Sequence, residues 1–477
     1  MSKSSIWVKD IQGDMLKLAS PSFIKIGIIS ICGLVLGVMI GKYDPFYGAM
    51  AGGAAVLALL IILRQDEAAL VLVLTVHLYF DWYWGLSLGA QLLELALLFY
   101  YYYAHSERLP WILPPALWLW LAFVLLAILP SLHGIILTDT LNYYFNIFFG
   151  SLTIYWLGVL IGRDTVNVRR AFQFLALLGT LVAIHTIIET LTGIFLFATT
   201  RYDAYFATVS YYELATTTIQ RAGSFLINPD SNGGFFGIMM FLPLCLFVES
   251  SSFFGKLCYL VQAFLMLVAL LFTYSTGGWL AAGVGAVGFV IFACPTRYRV
   301  MMPLIAASIV IAIVVCFPTQ VNLQIQHALA PTEAALRTSA WQTGIQVIRA
   351  FPLLGIGVGR YVYFERADPY RVLGQYIPLA HPHNSYIEIG ALAGIPIMLV
   401  FLALLIYTCW LSIRTWMRAD RRTRMLLGGG LATIVSLSAN SMVANAWTLI
   451  PLAAIGWFIL GVMSSPLLAN SRGVKTT

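Results

Sequence analysis

The chain has 477 residues, of which 60% are hydrophobic and only 10% charged, and its mean hydropathy is +0.87. A soluble protein carries roughly 25% charged residues; this composition excludes a water-soluble domain and predicts an all-α polytopic membrane protein, one integral domain over residues 1–477. The net charge of +7 marks cytoplasmic loops and argues against a nucleic-acid partner.

In chain order, the N-terminal MSKSSIWVKDIQGDMLKLASP is polar and basic. It has no short apolar run followed by a cleavage site, so it reads as a cytoplasmic segment and not a signal peptide. A spanning helix needs about 20 apolar residues. On that measure about 14 (12–14) transmembrane helices are expected: 24–41, 45–63, 67–81, 86–103, 112–131, 147–162, 171–190, 232–249, 256–275, 278–294, 300–317, 384–410, 425–443 and 448–465. With both termini inside, most Lys and Arg fall on the inner side, and only Lys42 sits in a short outer loop. This agrees with the positive-inside rule, from which long loops are largely exempt. Both long loops, 191–231 and 318–383, then share the outer face.

The first long loop carries Tyr202, Tyr205, Phe206, Tyr211 and Tyr212, either an interfacial belt or a sugar-stacking surface. It ends in Asn228, Pro229, Asp230, Asn232, Gly233 and Gly234, a turn into the next span. Asp230, Ser231 or Asn232 is positioned to cap that helix. In the second loop, Trp341, Gly344, Ile345 and Ile348 recur at helical spacing, which predicts a helix lying on the membrane surface. Arg337 and Trp341 are i,i+4 neighbours on it. Pro352 ends it, and Gly355, Gly357 and Gly359 permit a tight path. No strand precedes these glycines, so a dinucleotide site is excluded by context. The ionisable residues expected inside the membrane are His77, Glu94, His185 and Glu189. His185 and Glu189 are four apart on one helix and read first as an internal pair fixing helix packing. Cys32, Cys245, Cys258, Cys294, Cys316 and Cys409 lie in or beside apolar runs with no metal-type spacing; neither metal nor other cofactor is expected.

The outer face therefore gathers Arg221, Arg337, Arg349, Arg360, Arg366 and Arg371 with His381 and His383. Guanidinium forks grip phosphate oxygens in pairs, and an imidazole moves one proton near neutral pH. The combination points to an anionic, lipid-linked substrate. For any single arginine, snorkelling to lipid headgroups explains the position as well.

Three stretches then carry a resemblance. RAGSFLINPDSNGG from Arg221, LRTSAWQTGIQVIRAFPLLGIGVGRY from Leu336 and HNSYIEIGALAGIP from His383 resemble the motifs of the O-antigen ligase and O-antigen polymerase superfamily of bacterial inner membranes. The resemblance implies an enzyme, a glycosyltransferase. It would take a glycan from an undecaprenyl-diphosphate carrier on the periplasmic side and transfer it, without metal and with inversion, to an acceptor hydroxyl on a glycan, a lipid A-core or a protein. By motif position His383 would be the acceptor-activating base, and Arg337 and Arg221 would bind the diphosphate. Asn384, His381, Trp341, Asn228, Asp230, Asn232, Arg360 and Glu388 would complete the substrate site, with Glu388 placed to orient His383 or Asn384 or to cap a helix. Two departures stand out: Ser275-Thr276-Gly277-Gly278 replaces a Ser-Arg-Gly start, and Asp230 stands where asparagine is common. Ligase-type transfer is the leading reading, with chain polymerisation by the same superfamily as the alternative. A lipid-linked glycan transporter or flippase is the competing class, but it calls for charge at mid-membrane, whereas here charge gathers at one face.

Overall fold

The computed structural model describes residues 91–92, 94–100, 102, 112–193, 211–214, 217–226, 228–375 and 378–470. The expected N-terminal segment, the spans at 24–41, 45–63 and 67–81, His77, most of 86–103, and Tyr202, Tyr205 and Phe206 lie outside these residues.

The described chain is helical, with one addition: an antiparallel hairpin pairing Tyr211–Leu214 with Thr217–Gln220 inside the first long loop. The helices are α1 (Leu117–Leu126), α2 (Ile128–Ser131), α3 (Leu137–Ile161), α4 (Thr165–Thr192), α5 (Pro229–Glu249), α6 (Phe253–Thr273), α7 (Thr276–Phe292), α8 (Met302–Cys316), α9 (Pro318–Ala328), α10 (Pro331–Ala350), α11 (Arg360–Arg366), α12 (Ser385–Ala393), α13 (Ile395–Arg418), α14 (Arg421–Val443) and α15 (Ile450–Ser464). Among the described residues, seven helices are long and apolar enough to cross a membrane: α3, α4, α5, α6, α13, α14 and α15 with its extension to Leu468. A bent pair from α8 and α9 makes eight if it counts as one span.

Boundaries follow local chemistry. Asp164, Ser252, Ser275 and Asp420 cap α4, α6, α7 and α14 by accepting from the amides of Asn167, Gly255, Gly278 and Thr423. Each such cap contributes about 1 kcal/mol. Helix α5 is interrupted at Met240, where Pro243 has no N–H to give the carbonyl four residues back. Two expected spans are corrected. The stretch 300–317 ends in a bend of 110° between α8 and α9, at Phe317–Pro318. The stretch 384–410 breaks at Gly394, between the short α12 and the long α13.

The core is aromatic. Trp120, Trp447 and Trp457 are fully buried, with Trp457 4.7 Å from Trp120 and 4.9 Å from Trp447, centroid to centroid. Helices α3 and α15 approach closely where Gly158 and Gly461 meet: a Cβ on Gly461 would lie 2.1 Å from the Tyr155 carbonyl. Small residues at such crossings let backbones pack where lipid supplies no hydrophobic drive.

The helix ends sort into two faces. One carries Glu249, which pairs with Arg169 at 3.1 Å and with Arg422, together with Arg163, Arg418, Arg421 and Arg424. At the other, Arg221 meets the end of α6, Asn384 meets the end of α14, and Ser385 meets the loop before α15.

Candidate active site

Arg221 lies on the short segment between the hairpin and α5. Its Nε donates to the Thr273 carbonyl at 3.0 Å and its Nη2 to Asp230 Oδ1 at 2.6 Å. Thr273 is the last residue of α6 and Asp230 lies in the first turn of α5. The arginine side chain is 8% exposed and the aspartate 39%, so the pair is dry on the arginine side and open on the carboxylate side.

Asp230 also lies within electrostatic reach of Arg337 and His383. Three motif-borne residues, from the α5 entry, α10 and the loop before α12, thus converge on one carboxylate. Arg337 comes from α10, which packs against α12 through a glycine: a Cβ on Gly344 would sit 2.5 Å from Ile387 Cγ2 and 3.2 Å from Pro382 Cβ.

His383 is half-buried and holds a left-handed backbone, φ +53°, which costs a non-glycine residue about 1–2 kcal/mol. Local bonds hold it there. Its N–H donates to His381 Nδ1 at 3.2 Å, and its carbonyl accepts from Trp341 Nε1 at 3.4 Å. The next residue, Asn384, caps α12 by accepting from Tyr386 N and Ile387 N. The two imidazoles stand edge to face, 4.4 Å between centroids. Burial first, then the Arg337 guanidinium, push the His383 imidazole down to about 4, while Asp230 pulls it back up. Burial, His383 and Arg360 hold His381 well below the usual histidine range. Both rings are therefore neutral at pH 7, and a neutral imidazole keeps a nitrogen lone pair able to take a proton.

The other expected site residues divide. Arg360 opens α11 on the His381 side of the cluster, within electrostatic reach of His381 and Glu388. The remaining polar groups are engaged inside the protein. Asn228, and not Asp230, Ser231 or Asn232, caps α5 by accepting from Asp230 N at 2.8 Å. Pro229 occupies the first helical turn, which holds its predecessor in an extended, cap-ready conformation. Asn232 is buried and donates to Thr186 Oγ1 and the Ala222 carbonyl, both at 3.1 Å. The Asn384 amide donates to the Met442 carbonyl at 3.1 Å. The Glu388 carboxylate bonds neither the His383 nor the Asn384 side chain: it accepts from Tyr143 Oη at 3.0 Å and Thr448 Oγ1 at 2.6 Å. It ties α12 to α3 and to the entry of α15.

The glycine-rich turn after α10 anchors this arrangement. Ile356 N donates to the Ala391 carbonyl at 2.9 Å and Gly357 N to the Leu392 carbonyl at 3.1 Å, while Ile395 N donates to the Pro352 carbonyl at 2.8 Å. The turn thus satisfies the end of α12 and the start of α13, groups a helix leaves open. Gly355 has φ +64°, and a Cβ there would lie 2.4 Å from the Leu392 carbonyl; only glycine fits. Sequence reasoning missed Thr273, Tyr143 and Thr448 because each lies far along the chain from the motif it supports.

No curated protein matches the chain. Residues 261–402, under a third of the chain, match the family model described as O-antigen ligase. The matched stretch contains Arg337, Trp341, His381, His383 and Asn384, whereas Arg221 and Asp230 precede it. A family of this kind implies glycosyltransferase-like ligase or polymerase activity at a membrane. The match supports the resemblance carried by the motifs: over these residues the chain is similar to the O-antigen ligase family.

Proposed function

We propose that the protein transfers a glycan from an undecaprenyl-diphosphate carrier to an acceptor hydroxyl in ligase fashion, with the 318–383 loop bearing the active site. The observation that carries this reading is the convergence of Arg221, Arg337 and His383 around Asp230. Arg221 and Arg337 bind the diphosphate, and His383 takes the acceptor proton. The acceptor oxygen bonds to the anomeric carbon as the carbon–oxygen bond to the diphosphate breaks. The electron pair leaves with the diphosphate, the proton passes to His383, and a single displacement inverts the centre. Positive charge already in place where negative charge develops lowers the barrier without reorganisation.

The electrostatics adds a consequence. Arg337 depresses the basicity of His383. A diphosphate paired with Arg337 offsets that field, so donor binding strengthens the base at the moment it is needed. Asn228, Asn232, Asn384 and Glu388 act as supports of the site, and Trp341 and His381 fix the backbone of His383. Arg360, on the His381 side of the cluster, adds positive charge for the substrate.

Orientation follows from charge. Arg163, Arg169, Lys256, Arg418, Arg421, Arg422 and Arg424 lie at the opposite helix ends. By the positive-inside rule that charge supports a cytoplasmic face there, and hence a site on the periplasmic side of an inner membrane. The test is reconstitution of the full chain in liposomes with a lipid-linked glycan and three acceptors: lipid A-core, a second lipid-linked glycan and a protein hydroxyl. Mass analysis should find glycosylated acceptor and free undecaprenyl diphosphate. Movement of the carrier across the bilayer with no glycosylated product would overturn the reading in favour of transport.

A further inference from the structure

The chemistry above leaves His185 and Glu189 unused, although both are buried in α4. Both reach the segment that follows Arg221. Glu189 Oε2 accepts from Ser224 N at 2.9 Å, His185 Nδ1 lies 2.7 Å from Ser224 Oγ, and the two side chains stand 3.9 Å apart. Ser224 has φ +49°, a left-handed conformation that an L residue with a side chain adopts only when its surroundings impose it.

Only Ala222 and Gly223 separate this turn from Arg221, and the stretch between is pinned on both sides. Ala222 N donates to the Phe272 carbonyl at 3.3 Å, on α6. The Ala222 carbonyl accepts from Asn232 Nδ2, and the same amide donates to Thr186 Oγ1, one residue from His185 on α4. Packing of α4 alone does not call for a carboxylate in an apolar span, where it is costly unless bonded to something that needs it. Here the carboxylate is bonded to a backbone amide in a disfavoured turn.

We infer that His185 and Glu189 are positioning residues for the donor site: together they hold Ser224 in its left-handed turn and thereby set where the Arg221 guanidinium stands. The inference rests on the reading of Arg221 as a diphosphate ligand. Glu189→Gln keeps an oxygen that accepts from the Ser224 amide, whereas Glu189→Leu does not. Glycine takes positive φ without strain, so Ser224→Gly holds the turn without the clasp.

The experiment measures kcat/KM for the lipid-linked donor with the full-length protein in liposomes. Glu189→Gln should remain near wild type. Glu189→Leu should lose about tenfold to a hundredfold, as expected for a misplaced binding group, with the acceptor KM unchanged. Ser224→Gly added to Glu189→Leu should restore most of the loss, which no role in helix packing alone predicts. On an Arg221→Gln background Glu189→Leu should add no further loss. If Glu189→Leu does not accumulate, Ser224→Val tests the same turn with α4 intact, because a β-branched residue resists positive φ, and a similar loss is expected. Absence of rescue by glycine, losses that add to Arg221→Gln, or a fully active Ser224→Val enzyme would each overturn the inference while Arg221→Gln remains impaired. An Arg221→Gln enzyme with wild-type donor kinetics is a different failure: it would overturn the donor-site reading, and the inference with it.

Discussion

Helix α5 carries a carboxylate near each end, and each meets arginines, yet the two ends differ. At the C-terminal end Glu249 is 1% exposed and bonded to Arg169 and Arg422. There the helix dipole opposes a negative charge, so the glutamate needs both cations. At the N-terminal end Asp230 is 39% exposed, and the dipole favours it. It is bonded to Arg221, faces Arg337, and has a neutral imidazole beside it. The same ion chemistry is a closed clamp at one end. At the other it is an open cluster in which the aspartate can give up part of its hold on the arginines to an arriving anion.

Substitutions can break that contrast, and the largest effect is expected at His383. His383→Ala should lower transfer by about 10²–10⁴-fold, the usual contribution of a general base, in a protein that still inserts in the membrane; product formation at the wild-type rate would move the base elsewhere. Arg337→Lys should cost about 10²–10³-fold in kcat, since a point charge does not reproduce the fork on a developing diphosphate. Turnover unchanged in that variant would exclude paired phosphate contact.

The pH dependence sharpens the same contrast. A base must be deprotonated to act, so rate falls as pH drops through its pKa. The acid limb of kcat/KM, which reports free enzyme, should lie near pH 4, where His383 titrates. The limb of kcat should lie at higher pH, because bound diphosphate offsets Arg337. Coincident limbs would show that the donor does not touch that arginine. The smallest effect on chemistry is expected at the closed end: Glu249→Gln should leave kcat and donor KM unchanged. It should instead lower stability, by about 1.5–3 kcal/mol as for lost hydrogen bonds to a charged group, read as a drop in thermal midpoint. Impaired catalysis in a stable Glu249→Gln protein would erase the distinction between the ends.

What was legible in the chain was local. His383 stands out because it directly precedes Asn384 at the start of a span, Arg337 because it sits one helical turn before Trp341, and Arg221 because it opens the stretch that runs into Asn228 and Pro229. What was not legible depends on distant partners. Asn384 reads as a ligand until the amides of Tyr386 and Ile387 and the carbonyl of Met442 are seen to occupy it. Glu388 looks free to orient its neighbours until Tyr143, 245 positions away, claims it. The break at Gly394 escapes a hydropathy window because both sides of it are apolar. The residues that hold it open, Pro352 and Leu353, belong to another motif.

The central claim is that Arg221 and Arg337 grip the carrier diphosphate while His383 serves only the proton. Equilibrium binding of the lipid-linked diphosphate donor to variants in liposomes tests it most directly. His383→Ala should bind donor as tightly as wild type, and the Arg221→Gln, Arg337→Gln double variant should bind about 100-fold more weakly or worse, consistent with two charge-assisted contacts. Wild-type donor affinity in the double-arginine variant would contradict the account.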